Sequence, residues 1–578
     1  MRRPEVKYTE DFIRVENLPR RRISQSEGAE WAAHFAEELR APGSREVLRW
    51  QQGQLIYEAV ENRGAFGVLP VGFGKTIPSW VLAIAMNACR PMIIIPAGLR
   101  DKTMADFASY RGKWRTPNPP PAIFSREDLA QDSNLHLFDK FQPDLIIIDE
   151  ADELANAESA ACVRIDRYVQ PRSRDDVAVV CMTGTPARNS IMGFWHILCW
   201  CLREGAPVPM TQGEARTWAL ALDEQGKQTG RRMLCGPLGP NLKAARKWFQ
   251  VRLAETPGVF ILDGDSAGDI PITIRTRLAK ECPKLNTAYH KFMVEQENPD
   301  GVPVAAPLDR WRVDRFLGCG LFMRYKKPGP PEEWLVKRRA RGRAYAALVR
   351  ETIKGTRSHE SPADTEKQVR RKHRTGRGRM IIDLWDEVAD DPYPTEAVWI
   401  SSATIETARD WLAESAEPGI IWCGCVEFGE TLARTLRLPY FGPKGKDQNG
   451  NDLDAISKLP AWWGRSFVAS WNANKKGFNL QKWRRFAVFD PPTSAKWKEQ
   501  LSGRNHRQLQ DRAVVIDEFM TSGGTLDAFE IAMREARFGK SIIGTTQKIL
   551  RAKIVRAKPT KTDANKFRWA QRDDDDDD

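Results

Sequence analysis

Gly72, Gly74, Lys75 and Thr76, within the stretch GVLPVGFGKTIPSW (Gly67–Trp80), are the residue types that hold a polyphosphate. Glycines let a backbone turn tightly with its N–H groups inward, and a helix expected over Ile77–Met86 adds the positive end of its dipole. Lys75 would then reach the β- and γ-phosphates of a nucleotide, and the Thr76 hydroxyl would ligate Mg²⁺. Leu69 stands where G-x-x-x-x-G-K-[ST] has its first glycine. The plain alternative is a surface turn that happens to contain Gly-Lys-Thr.

A phosphate-holding lysine needs a carboxylate partner for the metal, and PDLIIIDEADEL supplies one. Leu145–Ile148 is the continuous apolar run of a central parallel strand, and it delivers Asp149 and Glu150 at the edge where α/β sheets bind ligands. Asp149 would hold Mg²⁺ through water, and Glu150 would orient and deprotonate the attacking water. The element that must position Lys75 is a strand expected at Ala65–Val71.

The tetrad Asp149-Glu150-Ala151-Asp152 resembles motif II of the superfamily-two helicases. MIIIPAGLRDKTMADF (92–107) is similar to the Ia region of their Swi/Snf-type branch. VVCMTGTPARN (179–189) resembles motif III, with Thr183 and Thr185 in its hydroxyl positions. GIIWCGCVEFGETLA (419–433) is similar to motif IV, KKGFNLQ (475–481) to motif V, and QLSGRNHRQLQ (500–510) to motif VI. The interval of more than two hundred residues between motifs III and IV also looks like that branch, and GGTLDAFEIAMREAR resembles its bacteriophage-encoded members.

The resemblance implies two RecA-like α/β lobes with parallel sheets, a mostly helical insertion, and ATP with Mg²⁺ as cofactors. It implies Arg504 and Arg507 as arginine fingers, which three-residue spacing would put on one face of a helix. It also implies Gln52 at the adenine (an ordinary helix glutamine otherwise), Gln500 at the cleft, and Gly477 and Asn479 in motif V. Thr183 and Thr185 would couple the Asp149 loop to nucleic acid, or simply cap the following helix. The activity implied is ATP-driven translocation on, or unwinding of, duplex or branched DNA. An RNA helicase and a nucleotide-switched DNA clamp are the competing readings.

The expected domains are an accessory arm (1–40) with a helix opened by Ser26, an ATP-binding lobe (41–230), a basic helical module (231–394), a second lobe (395–545) and a basic extension with an acidic tail (546–578). A chain of 578 residues is too long for one core. It has no apolar run long enough for a membrane span and no apolar leader, which fits a cytoplasmic protein. Ten scattered cysteines without C-x-x-C pairs are expected to be free thiols.

The net charge is +13, but six of the 76 acidic residues are Asp573–Asp578, so the remainder carries 89 − 70 = +19. VKRRARGR (336–343) and VRRKHRTGRGR (369–379) suggest a nucleic-acid partner, or solvated helix faces. Residues 359–379 read as a mobile loop along a phosphate backbone. Trp311 and Trp334 would stack on bases or pack in the core. The acidic tail would bind a basic protein partner or serve only as a solubilising end.

Overall fold

The computed structural model describes residues 4–223, 233–353, 362–442, 445–472 and 478–557. It is an α/β protein whose contacts divide it into two units. The first is Met1–Asp269 with Glu535–Leu550, and the second is Ile270–Arg534 with Arg551–Asp578.

The first unit is built on six parallel strands: β1 (Gly64–Val68), β2 (Pro91–Ile95), β3 (Ala122–Ser125), β4 (Leu145–Asp149), β5 (Ala178–Thr183) and β6 (Val259–Ile261). Their order is β3-β2-β4-β5-β1-β6. Alternate residues serve opposite faces: Phe66, Ile146, Ile148 and Cys181 enter one core, while Ala65, Leu145, Ile147 and Val180 enter the other. Both faces are covered, so every second position has to be apolar on each side and the strands read as unbroken apolar runs.

The N-terminal segment belongs to this unit's core and is no separate arm. Its helix is Gln25–Leu39, capped by Ser24 with Glu27 in a reciprocal capping box, so the expected cap at Ser26 lies two residues too late. Ala32, Phe35, Ala36 and Leu39 are buried against the sheet. The helix lies so close to the next one, Trp50–Glu61, that a Cβ on Gly53 would come 2.3 Å from the Ala32 nitrogen.

The second unit carries seven parallel strands in the order β11-β12-β10-β13-β14-β7-β15. These are β7 (Ile272–Leu278), β10 (Gly419–Cys423), β11 (Tyr440–Phe441), β12 (Phe467–Ser470), β13 (Arg485–Phe489), β14 (Val514–Met520) and β15 (Lys553–Val555). An antiparallel pair, β8 (Leu321–Tyr325) with β9 (Thr395–Trp399), stands apart. β7 comes from the stretch expected to be an inserted module, and it pairs with β14 along its whole length. Residues 231–394 are therefore not one helical module: the helix Leu242–Ala254 and β6 belong to the first unit, and β7 and β8 are strands of the second.

The expected mobile loop at 359–379 is instead helical from Pro362 to Lys372 and again from Gly376 onward; residues 354–361 lie outside the described ones. Arg370 explains the order, because it bonds both Glu366 on its own helix and Asp386 on the next. Tyr345 and Trp385 stack at 5.4 Å in the small core beneath.

Two carboxyls, Asp527 on the helix Gly523–Ile542 and Asp314 on the helix Pro307–Gly318, make this unit's stability depend on pH. Burial pushes Asp527 up to about 7, against the opposing pull of Arg534 and with Glu530 adding to the rise. Burial likewise pushes Asp314 up to about 6, despite a hydrogen bond from Ser522 (2.6 Å). Both carboxyls hold their protons to higher pH when folded than when unfolded. Their contribution is thus full below the ordinary carboxylate range and is lost as pH rises through about 6 and 7. Thermal melts of Asp527→Asn should fall less steeply between pH 5 and 8 than those of the wild type. Parallel slopes would remove Asp527 from this account.

Candidate nucleotide site

The loop after β1 turns where the glycines allow it: Gly72 and Gly74 have φ of 96° and 75°. Leu69 does not sit in that region of backbone space. Its N–H bonds the Thr183 carbonyl (2.9 Å) and its side chain is fully buried, so the first glycine of the pattern is not needed there. The strand ends at Val68, three residues earlier than expected, and Val71 is already in the turn. Lys75 then leads directly into the helix Thr76–Ala85.

Gln52 fastens this loop. Its Nε2 donates to the Gly74 carbonyl (2.9 Å), its Oε1 accepts from the Arg49 N–H (2.9 Å), and the residue is almost wholly buried. A Cβ on Gly74 would come 2.7 Å from that Nε2. Arg49 adds a bond to the Gly72 carbonyl (3.2 Å). From the far side Ser266 Oγ donates to the Val71 carbonyl (2.8 Å), and Asp265 next to it pairs with Lys548 (2.5 Å). Nothing local in the sequence marks Ser266, Asp265 or Lys548, because they come from distant segments.

Asp149 ends β4, and Glu150 follows it at φ 54°, a left-handed conformation that costs a non-glycine residue about 1–3 kcal/mol. The turn is held by the Glu150 N–H donating to Asp149 Oδ1 (2.9 Å). It brings Glu150 Oε1 to 3.6 Å from Lys75 Nζ, with both side chains largely buried. Burial works to lower the Lys75 pKa, but the carboxylates of Glu150, Asp149 and Asp152 together outweigh it and the net direction is upward. Lys75 is a fixed cation facing three acids.

Asp152 is the third of these, and it is where the motif III threonines go. Thr183 Oγ1 donates to Asp152 Oδ1 (3.0 Å), and Thr185 Oγ1 to Oδ2 (3.3 Å). Both threonines thus bond the loop that begins at Asp149, through its fourth residue. Gly184 between them keeps room for the lysine, since a Cβ there would come 3.7 Å from Lys75 Nζ and 3.3 Å from the Leu69 carbonyl oxygen.

The half-buried Thr76 lies near the Tyr110 phenol, which burial holds well above its ordinary pKa. Among the described residues no group of three or more His, Cys, Asp or Glu could hold a metal ion by itself. A cation such as Mg²⁺ takes one or two carboxylates and completes its shell with phosphate oxygens and water. The donor set fits Mg²⁺ with a polyphosphate: three carboxylates exceed the single lysine that faces them.

The remaining expected residues lie in the second unit. Arg504 and Arg507 are not on a helix. The helix Ala495–Ser502 stops before Gly503, and the chain turns because Asn505 Nδ2 bonds the Leu480 carbonyl (2.9 Å) and Gln510 Nε2 the Gln481 carbonyl (3.0 Å). Arg504 is buried and donates to the Phe478 carbonyl (3.3 Å), so motif VI is clasped to the end of motif V. Arg507 is half-buried, Asn479 is exposed, and Gln500 is buried on its helix. Gly477 and Asp573–Asp578 lie outside the described residues.

The two basic blocks are largely occupied with carboxylates of their own unit. Arg341 pairs with Glu387 (2.6 Å), Arg343 with Glu297 (2.8 Å), Arg379 with Asp383 (2.7 Å) and Lys337 with Glu333 (2.6 Å). Arg371, Arg374 and Arg377 are exposed and have no carboxylate partner among the described residues. Trp311 lies under Arg315 (4.2 Å) and Trp334 under Arg338 (5.1 Å), both half-buried. The cysteines are all free, and no described helix is long and apolar enough to cross a membrane. No protein-family model matches the chain, and no curated protein matches it either.

Proposed function

We propose that the chain is an ATP hydrolase that acts as a DNA translocase or helicase of the Swi/Snf-like branch. In this reading the first unit is the nucleotide-binding RecA-like lobe and the second unit is the other RecA-like lobe. The observation that carries the proposal is Lys75, a buried cation 3.6 Å from Glu150 on a loop turned by Gly72 and Gly74. The strand order supports it, since β1 and β4 flank β5 and deliver lysine and carboxylates to one edge of the sheet. Ligands of open parallel sheets bind at that edge.

Bound ATP with Mg²⁺ would supply the phosphoryl group for transfer and the extra positive charge that the three carboxylates call for. Gly72 and Gly74 bring backbone close to the β- and γ-phosphates, and Lys75 pairs with their charge. Thr76 and Asp149 are the residues that would face the metal. Glu150 takes the proton of the attacking water, its backbone already turned so that the carboxylate lies beside the lysine. Asp152 is held by Thr183 and Thr185, so it keeps the loop's shape and is not a metal ligand. Gln52 keeps the glycine loop in position from the other side.

Steady-state ATP hydrolysis without polymer, then with duplex DNA, single-stranded DNA, a forked junction or RNA at low salt, tests the reading. Turnover stimulated by duplex or branched DNA is the expected outcome. Stimulation by RNA alone would move the substrate to RNA. Hydrolysis stimulated by DNA without displacement of a bound obstacle would make the protein a clamp, and no hydrolysis under any condition would overturn the proposal.

A further inference from the structure

The opposite edge of the first unit's sheet holds a cavity of about 420 Å³. It opens at the N-terminal ends of β1 and β5, where Arg63 and Arg172–Asp176 lead into the strands, so it is remote from the loop after β1. Four arginines line it: Arg63, Arg172, Arg174 and Arg203. Their N–H groups go to backbone carbonyls. Arg172 donates to Tyr168 (2.6 Å), Arg174 to Asn62 (2.9 Å), and Arg203 to Val177 (3.3 Å) and to Trp200.

Carbonyl dipoles at helix C-termini offset part of this charge. Among the described residues no carboxylate lies within 4.0 Å of Arg172, Arg174 or Arg203, and Arg63 meets Asp175 only at 3.8 Å. Arg203 is buried, and burial lowers its pKa against the opposing pull of Cys201 and Glu204, with Arg174 adding a smaller lowering. The backbone points the same way. Arg63 and Arg203 have positive φ, 50° and 49°, where glycine would carry the least strain. The chain keeps a guanidinium at each.

The acidic groups lie at the rim. Glu61, Asp175 and Glu204 line the same cavity and are exposed, whereas the arginines are half-buried or buried. An extended polyanion would have to pass that rim along its length, while a compact anion can sit beneath it. Guanidinium groups match phosphoryl oxygens in both charge and geometry, and the volume falls in the range of small-molecule sites. We propose that this cavity binds a compact multivalent phosphoryl anion of the inorganic di- or triphosphate class, with Arg172, Arg174 and Arg203 as its floor.

The proposal does not depend on the nucleotide site, and the test separates the two. Inorganic pyrophosphate and tripolyphosphate are titrated calorimetrically into full-length Lys75→Ala protein, which lacks the lysine of the glycine loop, and into the same protein carrying Arg174→Gln. One saturable site is expected in the first, with affinity at least about tenfold weaker in the second, as fits loss of a charged hydrogen bond. Arg172→Gln should give the same loss, and it stands in if Arg174→Gln melts below its parent. Equal binding by parent and variants overturns the proposal. So does an absence of saturable binding in the parent, or a duplex oligonucleotide that binds the parent in place of the small anions and loses affinity with Arg174→Gln.

Discussion

Replacing Lys75 by alanine is expected to lower ATP turnover about 10²-fold or more, the usual cost of removing a fixed charge aimed at a reacting group. A second consequence concerns the protein without nucleotide. Glu150, Asp149 and Asp152 all act to keep Lys75 charged, so removing the lysine leaves three carboxylates facing one another in a largely buried site. Unpaired charge of this kind is strongly destabilising unless a carboxyl takes up a proton. The melting temperature of Lys75→Ala should therefore fall at pH 8 and recover part of the loss at pH 5. Mg²⁺ without nucleotide should also raise it, because it restores positive charge among the same acids. Turnover near the wild-type value would remove the lysine from the chemistry. A melting temperature unchanged at both pH values would show that the three acids are not coupled through it.

Glu150→Gln carries the second large effect. The amide keeps the volume and the left-handed turn but cannot accept a proton from water, so turnover should fall by about 10²–10⁴-fold while nucleotide affinity is retained. The carboxylate nearest the lysine is gone, and this should make the unliganded protein slightly less dependent on Lys75, so that the stability loss of Lys75→Ala is smaller in the Glu150→Gln background. A double-mutant cycle on melting temperature measures that coupling. Turnover above about one-tenth of the wild type would sink the assignment of Glu150 as general base, since loss of such a base costs about 10²-fold at the least. If nucleotide affinity fell together with turnover, Glu150 would be a binding group and the proton acceptor would lie elsewhere.

Much of the first unit was legible in the chain itself. The apolar runs Ala65–Val71 and Leu145–Ile148 marked two of the strands, the first overrunning its end at Val68 by three residues, because a sheet covered on both faces demands apolar residues on each side. The glycines at 72 and 74 fixed the turn, since positive φ is cheap only for glycine. Local chemistry of this kind placed Lys75, Thr76, Asp149 and Glu150 at one edge of one sheet.

The tertiary structure decided what depends on distant partners. Which acid receives Thr183 and Thr185 is set by how β5 lies beside β4, and it is Asp152, the last residue of the tetrad. That Gln52 holds the Gly74 carbonyl follows from a helix packed against the loop, and no sequence spacing measures that distance. The basic blocks show the limit most plainly. Sequence gives the number of positive charges, but Glu297, Asp386 and Glu387 neutralise several of them only because packing brings distant segments together. The same rule works in reverse at the floor of the arginine cavity. Arg63, Arg172, Arg174 and Arg203 are spread over 140 residues and form no run in the chain, and only the fold gathers them where carboxylates stay at the rim.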